Sequence, residues 1–271
     1  MSRHDADVAR VRALGAVKSD AGQEGKSPTA DELFEAAEEV IRQAEQMGTR
    51  MRLLGGIAVR HLARSAALGP FARSYHDYDV VVSSRDGAAA ARVFRSLGYG
   101  EDPHFNALHG AQRMIFSSDA GFDVDVLVGT FQMCHRLELG ADLPEGGLTV
   151  HPADLLLTKL QIVQIEEKDL GDAAAILHDV PIGTGGDRAI ELKRFVRPLV
   201  ADWGFYHTVE LNLGKVAEHA KRVLDSEMLR TVERSVATLG AEMERAPKSM
   251  KWKMRARIGE KVTWYELPEE V

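Results

Sequence analysis

The 271-residue chain is 45% hydrophobic, enough for one large core or two small ones, and its net charge of −7 excludes wholesale, sequence-independent binding to nucleic acid. The single cysteine, Cys134, excludes a disulfide framework within the chain and points to a reducing, cytoplasmic compartment, with the thiol acting as a small buried hydrophobe. No apolar run approaches the roughly 20 residues that cross a bilayer, and MSRHDADVARVR lacks the apolar segment of a secretory signal, so no membrane partner is expected.

Residues 1–28 are dominated by Gly, Ser and charge and are expected to be a mobile tail, with at most a short helix over Ala6 to Leu14. Thr29, followed three residues later by Glu32, is a capping box for a helix running to about Met47. Met51–Leu54 reads as a short strand, Gly55-Gly56 as a turn, and Ile57 to about Ala67 as a helix. The β-branched run Tyr78–Val82 is a strand, Asp86–Leu97 an alanine-rich helix closed by Gly98, and His104 and His109 are loop residues. Gln112–Ser117 and Phe122–Val128 make two strands of a hairpin, and Leu148–Val150 suits a short strand. Beyond Pro152 the pattern is helical: Ala153–Ile165, Asp169–His178, Arg188–Val200, Tyr206–Leu224 and Ser226–Arg245. The expected class is α/β (α+β): a small mixed sheet with flanking helices over 29–150, then an α-helical domain over 151–271.

Two strands carry carboxylates where strands rarely do. In Asp77-Tyr78-Asp79-Val80-Val81-Val82, side chains alternate, so Asp77 and Asp79 share one face and Tyr78, Val80 and Val82 the other. Phe122-Asp123-Val124-Asp125-Val126-Leu127 repeats the arrangement with Asp123 and Asp125. Acids within β-branched runs repel one another unless a cation lies between them. Mg²⁺ takes hard oxygen ligands of this kind. If the two strands are neighbours, their acids can hold two metals about 4 Å apart, as displacement at phosphorus requires. His76 abuts the acids, while His104 and His109 have no ligand spacing.

Leu53-Leu54-Gly55-Gly56-Ile57-Ala58 places two glycines between a strand and a helix, exposing backbone N–H groups suited to an anion. Gly55-Gly56, then Asp77-x-Asp79, then a later strand acid resembles the nucleotidyltransferases of the DNA polymerase β type. The resemblance implies that Gly55 and Gly56 hold nucleotide phosphates and that Asp77, Asp79 and a third acid bind the metals. Asp125, in Val-Asp-Val-Leu-Val-Gly, matches that third acid best, with Asp123 as the alternative. Arg73, four residues before Asp77, matches an arginine found in bacterial abortive-infection and toxin nucleotidyltransferases and in some antibiotic nucleotidyltransferases. Tyr75 stands where the toxin branch often has Ser or Thr. Asp154-Leu-Leu-Leu-Thr-Lys159-Leu and Lys168-Asp169-Leu-Gly-Asp172 are similar to that branch's lysine and Asp-x-x-Asp motifs. The resemblance spans roughly residues 50–178.

It implies a small mixed-sheet nucleotidyltransferase core that moves an NMP from an NTP to an acceptor hydroxyl and releases pyrophosphate. Two Mg²⁺ ions would assist, with Asp77, Asp79, Asp125 and Lys159 as catalytic residues. Gly55, Gly56, Arg73, Lys159, Asp169 and Asp172 would bind the nucleotide. In the toxin branch the acceptor would be RNA, a tRNA end included, and an antitoxin protein a partner. The alternatives are an antibiotic nucleotidyltransferase acting on a small hydroxylated acceptor of aminoglycoside or lincosamide kind, and a non-catalytic nucleotide-binding module.

Two further readings come from the residues themselves. The helical neighbours of Lys159 are apolar, so its charge is costly unless it snorkels or meets an anion, for which a phosphate is the preferred partner. On that basis Lys159→Met is expected to keep or raise stability. Lys248 to Lys261 concentrates basic residues around Trp252, a segment able to contact phosphates and stack on a base, or equally a solvated or docking face.

Overall fold

The computed structural model describes residues 28–184 and 186–267, so the expected tail lies outside the described residues apart from Pro28. Helix α1 (Ala30–Gln46) opens on the capping box: the Thr29 hydroxyl accepts from Glu32 N–H at 3.2 Å, and Glu32 Oε2 accepts from Thr29 N–H at 2.7 Å. Its apolar stripe, Leu33, Ala37, Val40, Ile41 and Ala44, is buried. Strand β1 (Met51–Leu54) runs into α2 (Gly55–Leu62), so the two glycines form the first turn of a helix rather than a separate turn. The helix stops four or five residues earlier than its periodicity predicts, giving way to 3₁₀ turns over Arg64–Ala67 and Gly69–Phe71.

After β2 (Asp77–Val82) and α3 (Gly87–Ser96) comes β3 (Gly100–Glu101), followed by α4 (Pro103–His109), where the sequence suggested a loop. The Asp102 side chain accepts from the N–H groups of His104 and Phe105, and Pro103 takes the first helical position. Strands β4 (Arg113–Ser117) and β5 (Asp123–Val128) form the expected hairpin. A small second hairpin, β6 (Thr130–Gln132) with β7 (Arg136–Glu138), has too little apolar alternation to be seen in advance. Residues 148–150 contribute only an isolated bridge, Leu53 to Thr149.

The main sheet has the order β1-β2-β5-β4-β3 and is mixed. Its centre is the parallel pair β2 and β5, in the register Asp77 to Asp123, Tyr78 to Val124 and Asp79 to Asp125. A parallel pair needs a crossover, here supplied by α3, β3, α4 and β4. One face of the pair packs inward, with Tyr78, Val80, Val82, Val124 and Val126 all buried. Each buried valine stabilises by about 1.5–3 kcal/mol, which offsets the repulsion of the acids on the opposite face.

The helical part comprises α5 (Pro152–Leu160), α6 (Glu167–Asp179), α7 (Leu192–Ala201), α8 (Trp203–Val223), α9 (Ser226–Arg245) and α10 (Met250–Ile258). Helix α5 ends at Leu160, well before Ile165, and Asn212 of α8 holds the chain leaving it, donating to Leu160 O at 2.9 Å and Ile162 O at 2.7 Å. Buried apolar residues of the sheet part and the helical part join in one cluster. Arg52, fully buried on β1, donates to the carbonyls of Met51, Pro144 and Glu145 and pairs with Glu45 at 3.0 Å, fixing the loop before α5 to the sheet.

Candidate active site

The register brings Asp77, Asp79, Asp123 and Asp125 onto one face of two adjacent strands. Neighbouring strands lie about 4.8 Å apart, so these carboxylates face one another at close range. No described hydrogen bond or ion pair reaches Asp77, Asp79 or Asp123. Asp125 differs: Arg113 on β4 grips it with Nε to Oδ1 at 2.9 Å and Nη2 to Oδ2 at 2.8 Å. Burial, with Asp125 and then Asp77 adding to it, pushes the Asp79 carboxyl up to about 7 against the opposing pull of Lys159 and Arg113. Asp123 is raised by burial, Asp77 and Asp125.

The glycine turn sits directly on this acid face. Gly55 has φ +68°, and a Cβ there would collide with the Asp79 carboxylate, so both backbone conformation and space call for glycine. A Cβ on Gly56 would collide with the Arg73 guanidinium and reach within 2.8 Å of the Tyr75 ring. No side chain caps the N-terminus of α2. Its free N–H groups therefore lie between an uncompensated carboxylate and the Arg73–Tyr75 pair.

Beyond Arg73 the sequence motifs converge. Arg73 makes a two-point contact with Asp172, Nε to Oδ1 at 3.0 Å and Nη2 to Oδ2 at 2.9 Å, and lies over the Tyr75 ring at 4.2 Å. Lys159 Nζ reaches Asp169 at 2.9 Å and Asp172 at 3.0 Å. Burial opposes the Lys159 charge, but Asp172 and Asp169 outweigh it and hold the ammonium above the usual lysine range. Burial likewise opposes ionised Asp172, yet Lys159 and Arg73 hold it low. Lys159 therefore does not snorkel: its partners are the Asp169 and Asp172 carboxylates of α6, so the Lys and Asp-x-x-Asp motifs meet in one ion network.

No family model matches this chain, and no curated protein matches it. Among solved structures it is similar to the lincosamide antibiotic adenylyltransferase LnuA in its lincomycin-bound form, at 17% identity over 56% of this chain and 98% of that one, with a TM-score of 0.39. It is also similar to an antigenic nucleotidyltransferase-like protein from Paracoccidioides brasiliensis, at 13% identity over 76% of this chain and 95% of that one, with a TM-score of 0.41. Likeness at this level carries no weight for the chemistry, which rests on the residues described above.

The donor set suits a hard divalent cation, since Asp77 and Asp79 offer oxygen ligands with no positive partner. Among the described residues no three His, Cys, Asp or Glu side chains are grouped closely enough to hold a metal as they stand. Both oxygens of the third acid, Asp125, accept from Arg113, which competes with any cation there. Sequence reasoning missed Arg113, which opens its strand between Gln112 and Met114. The signal was the acid pair itself, which calls for a cation on the neighbouring strand. Arg113 is braced by Phe105 of α4, 5.6 Å from the ring centre.

Other candidates stand apart. His76 is exposed beside the acids. Cys134 is buried, accepts from Val163 N–H at 3.4 Å, and has its thiol raised by burial, as suits an inert hydrophobe. The basic segment forms α10, but Trp252 donates Nε1–H to Leu199 O at 3.0 Å and meets Tyr206 edge-on. Arg255 donates to the carbonyls of Gly259 and Val262 and covers Trp203 at 4.6 Å. Lys251, Lys253 and Arg257 remain exposed. A cavity of about 360 Å³ lined by Asp31, Phe34, Ile57, Arg60, His61 and Leu68 includes none of Asp77, Asp79, Asp123 and Asp125.

Proposed function

We propose that this protein is a nucleotidyltransferase that moves an NMP from an NTP to the hydroxyl of a small acceptor. The observation that carries the reading is Gly55 seated on the Asp79 carboxylate, with Asp77, Asp123 and Asp125 on the same sheet face. This joins an anion-binding helix N-terminus to a cation-seeking acid cluster, the two halves of a site for a metal-bound triphosphate. Asp77 and Asp79 would hold divalent metal, which supplies positive charge to the phosphates and acidity to the acceptor hydroxyl when bound. The N–H groups at Gly55 and Gly56 receive phosphate oxygens. A carboxylate of the cluster takes the acceptor's proton, and pyrophosphate leaves. Arg73 and Lys159, held in place by Asp169 and Asp172, set N–H donors beside the turn.

The acceptor reading turns on two observations. Trp252 and Arg255, the stacking and charged centre of the basic segment, are engaged within the protein, which weakens one of the two features that favoured RNA. Asp123, outside the proposed metal pair, is exposed on the site's face, which favours a cationic, hydroxylated small molecule. The test is incubation with each α-labelled NTP and Mg²⁺ in the presence of an aminoglycoside, a lincosamide or total tRNA. Label is expected on a small acceptor, and Lys251→Ala/Lys253→Ala/Arg257→Ala should leave that transfer unchanged. Label on tRNA alone, lost in the triple variant, would restore RNA as the acceptor. Nucleotide binding without transfer to any acceptor would favour the non-catalytic module.

A further inference from the structure

Tyr75 is 5% exposed, yet its hydroxyl has no hydrogen-bond partner among the described residues. A buried orphan hydroxyl costs stability and is uncommon in a well-packed interior. Its surroundings explain why nothing in the chain satisfies it. Arg73 lies over the ring face rather than beside the hydroxyl, and its N–H groups go to Asp172 and to Ser74 O. Asp172, the nearest strong acceptor, is taken by Arg73 and Lys159. The ring edge instead rests against Gly56, within 2.8 Å of where a Cβ would stand, at the uncapped start of α2. Two independent features, free helix N–H groups and an unsatisfied phenol, thus meet at one place, next to the positive charges of Arg73 and Lys159.

We propose that the Tyr75 hydroxyl is a ligand-binding donor that hydrogen-bonds an oxygen of the triphosphate held at the N-terminus of α2. This rests on the nucleotidyltransferase reading and assigns to it a residue that touches the nucleotide. A phenol is a neutral donor, so it contributes a directed hydrogen bond without adding a further buried charge. The same group explains why position 56 must be glycine: any side chain there would displace both the phenol and the arginine from the turn.

Isothermal titration of the wild type and Tyr75→Phe with Mg²⁺-tripolyphosphate and with the four α,β-methylene NTP analogues tests this, together with thermal unfolding of both proteins without ligand. Deleting only the hydroxyl should weaken binding of every phosphate-bearing probe by about tenfold or more. The ligand-free variant should melt about 2 °C or more higher, since an unsatisfied group has been removed. A purely structural tyrosine gives the opposite pattern: unchanged affinity, or a lower melting temperature because an internal hydrogen bond was lost. Either result overturns the assignment. If the wild type binds none of the probes, the nucleotide reading itself fails and takes this inference with it. If the wild type binds and the variant binds equally, only the role of Tyr75 falls.

Discussion

Asp79→Asn is expected to lower nucleotide transfer by about 10³-fold or more while leaving the metal-free protein folded at least as stably as the wild type. The two halves of this result have one cause. Asp79 faces Asp125 across the parallel register and Asp77 two residues away on its own strand, with Gly55 packed against its carboxylate. Its two nearest cationic influences, Lys159 and Arg113, are already paired with other carboxylates. An ionised Asp79 is therefore tolerated at a cost, and neutral asparagine, the same size, removes the repulsion. Asparagine also removes the charge that a divalent cation needs. Transfer assays with saturating Mg²⁺ and thermal melts in a chelator read the two effects separately. A variant that is strongly destabilised without metal would show that Asp79 has a structural partner, contrary to the contacts described.

Lys159→Met is expected to act in the reverse sense, destabilising the fold by about 3–5 kcal/mol, the cost of stranding buried charge when one partner of a buried pair is removed. The lysine, at 12% side-chain exposure, is flanked by Asp169 at 9% and Asp172 at 2%. Arg73 would still neutralise Asp172, but it acts on Asp169 only at longer range, and Asp169 makes no other described ion pair. The apolar helical neighbours of Lys159 suggested that methionine would pack there without penalty. The two carboxylates of α6 overturn that expectation, because the stripe that seemed to be hydrophobic contains the far half of an ion network. The melting temperature should fall by on the order of 10 °C. Adding Asp169→Asn to Lys159→Met should recover part of the loss, since it removes the stranded charge. A double variant no more stable than the single one would place the damage elsewhere.

Much of the sheet was legible in the sequence because its signals are local. Val80, Val81 and Val82 alternate across a strand, Thr29 and Glu32 announce a helix start, and Asp123 and Asp125 repeat the spacing of Asp77 and Asp79. The shared face of the four acids followed from strand geometry, and the register confirmed their adjacency. What stayed hidden depends on partners distant along the chain. Arg113 looks like any strand-opening arginine until β4 is laid beside β5. Arg52 reads as a break in an apolar strand, and only the carbonyls of Pro144 and Glu145, some ninety residues away, account for its burial. Helix α4 was missed for a different reason: Asp102-Pro103 is a sound helix start, but the seven residues after Asp102 hold too few apolar positions to show a period.

The claim on which the rest depends is that Asp77 and Asp79 form a divalent-metal site. Mn²⁺ binding followed by electron paramagnetic resonance on the wild type and Asp79→Asn measures it without any assumption about nucleotide or acceptor. Saturable binding to the wild type, competed by Mg²⁺ and lost in the variant, is the expected result. Equal Mn²⁺ binding by the two proteins, or none by the wild type even with a nucleotide analogue present, would contradict it.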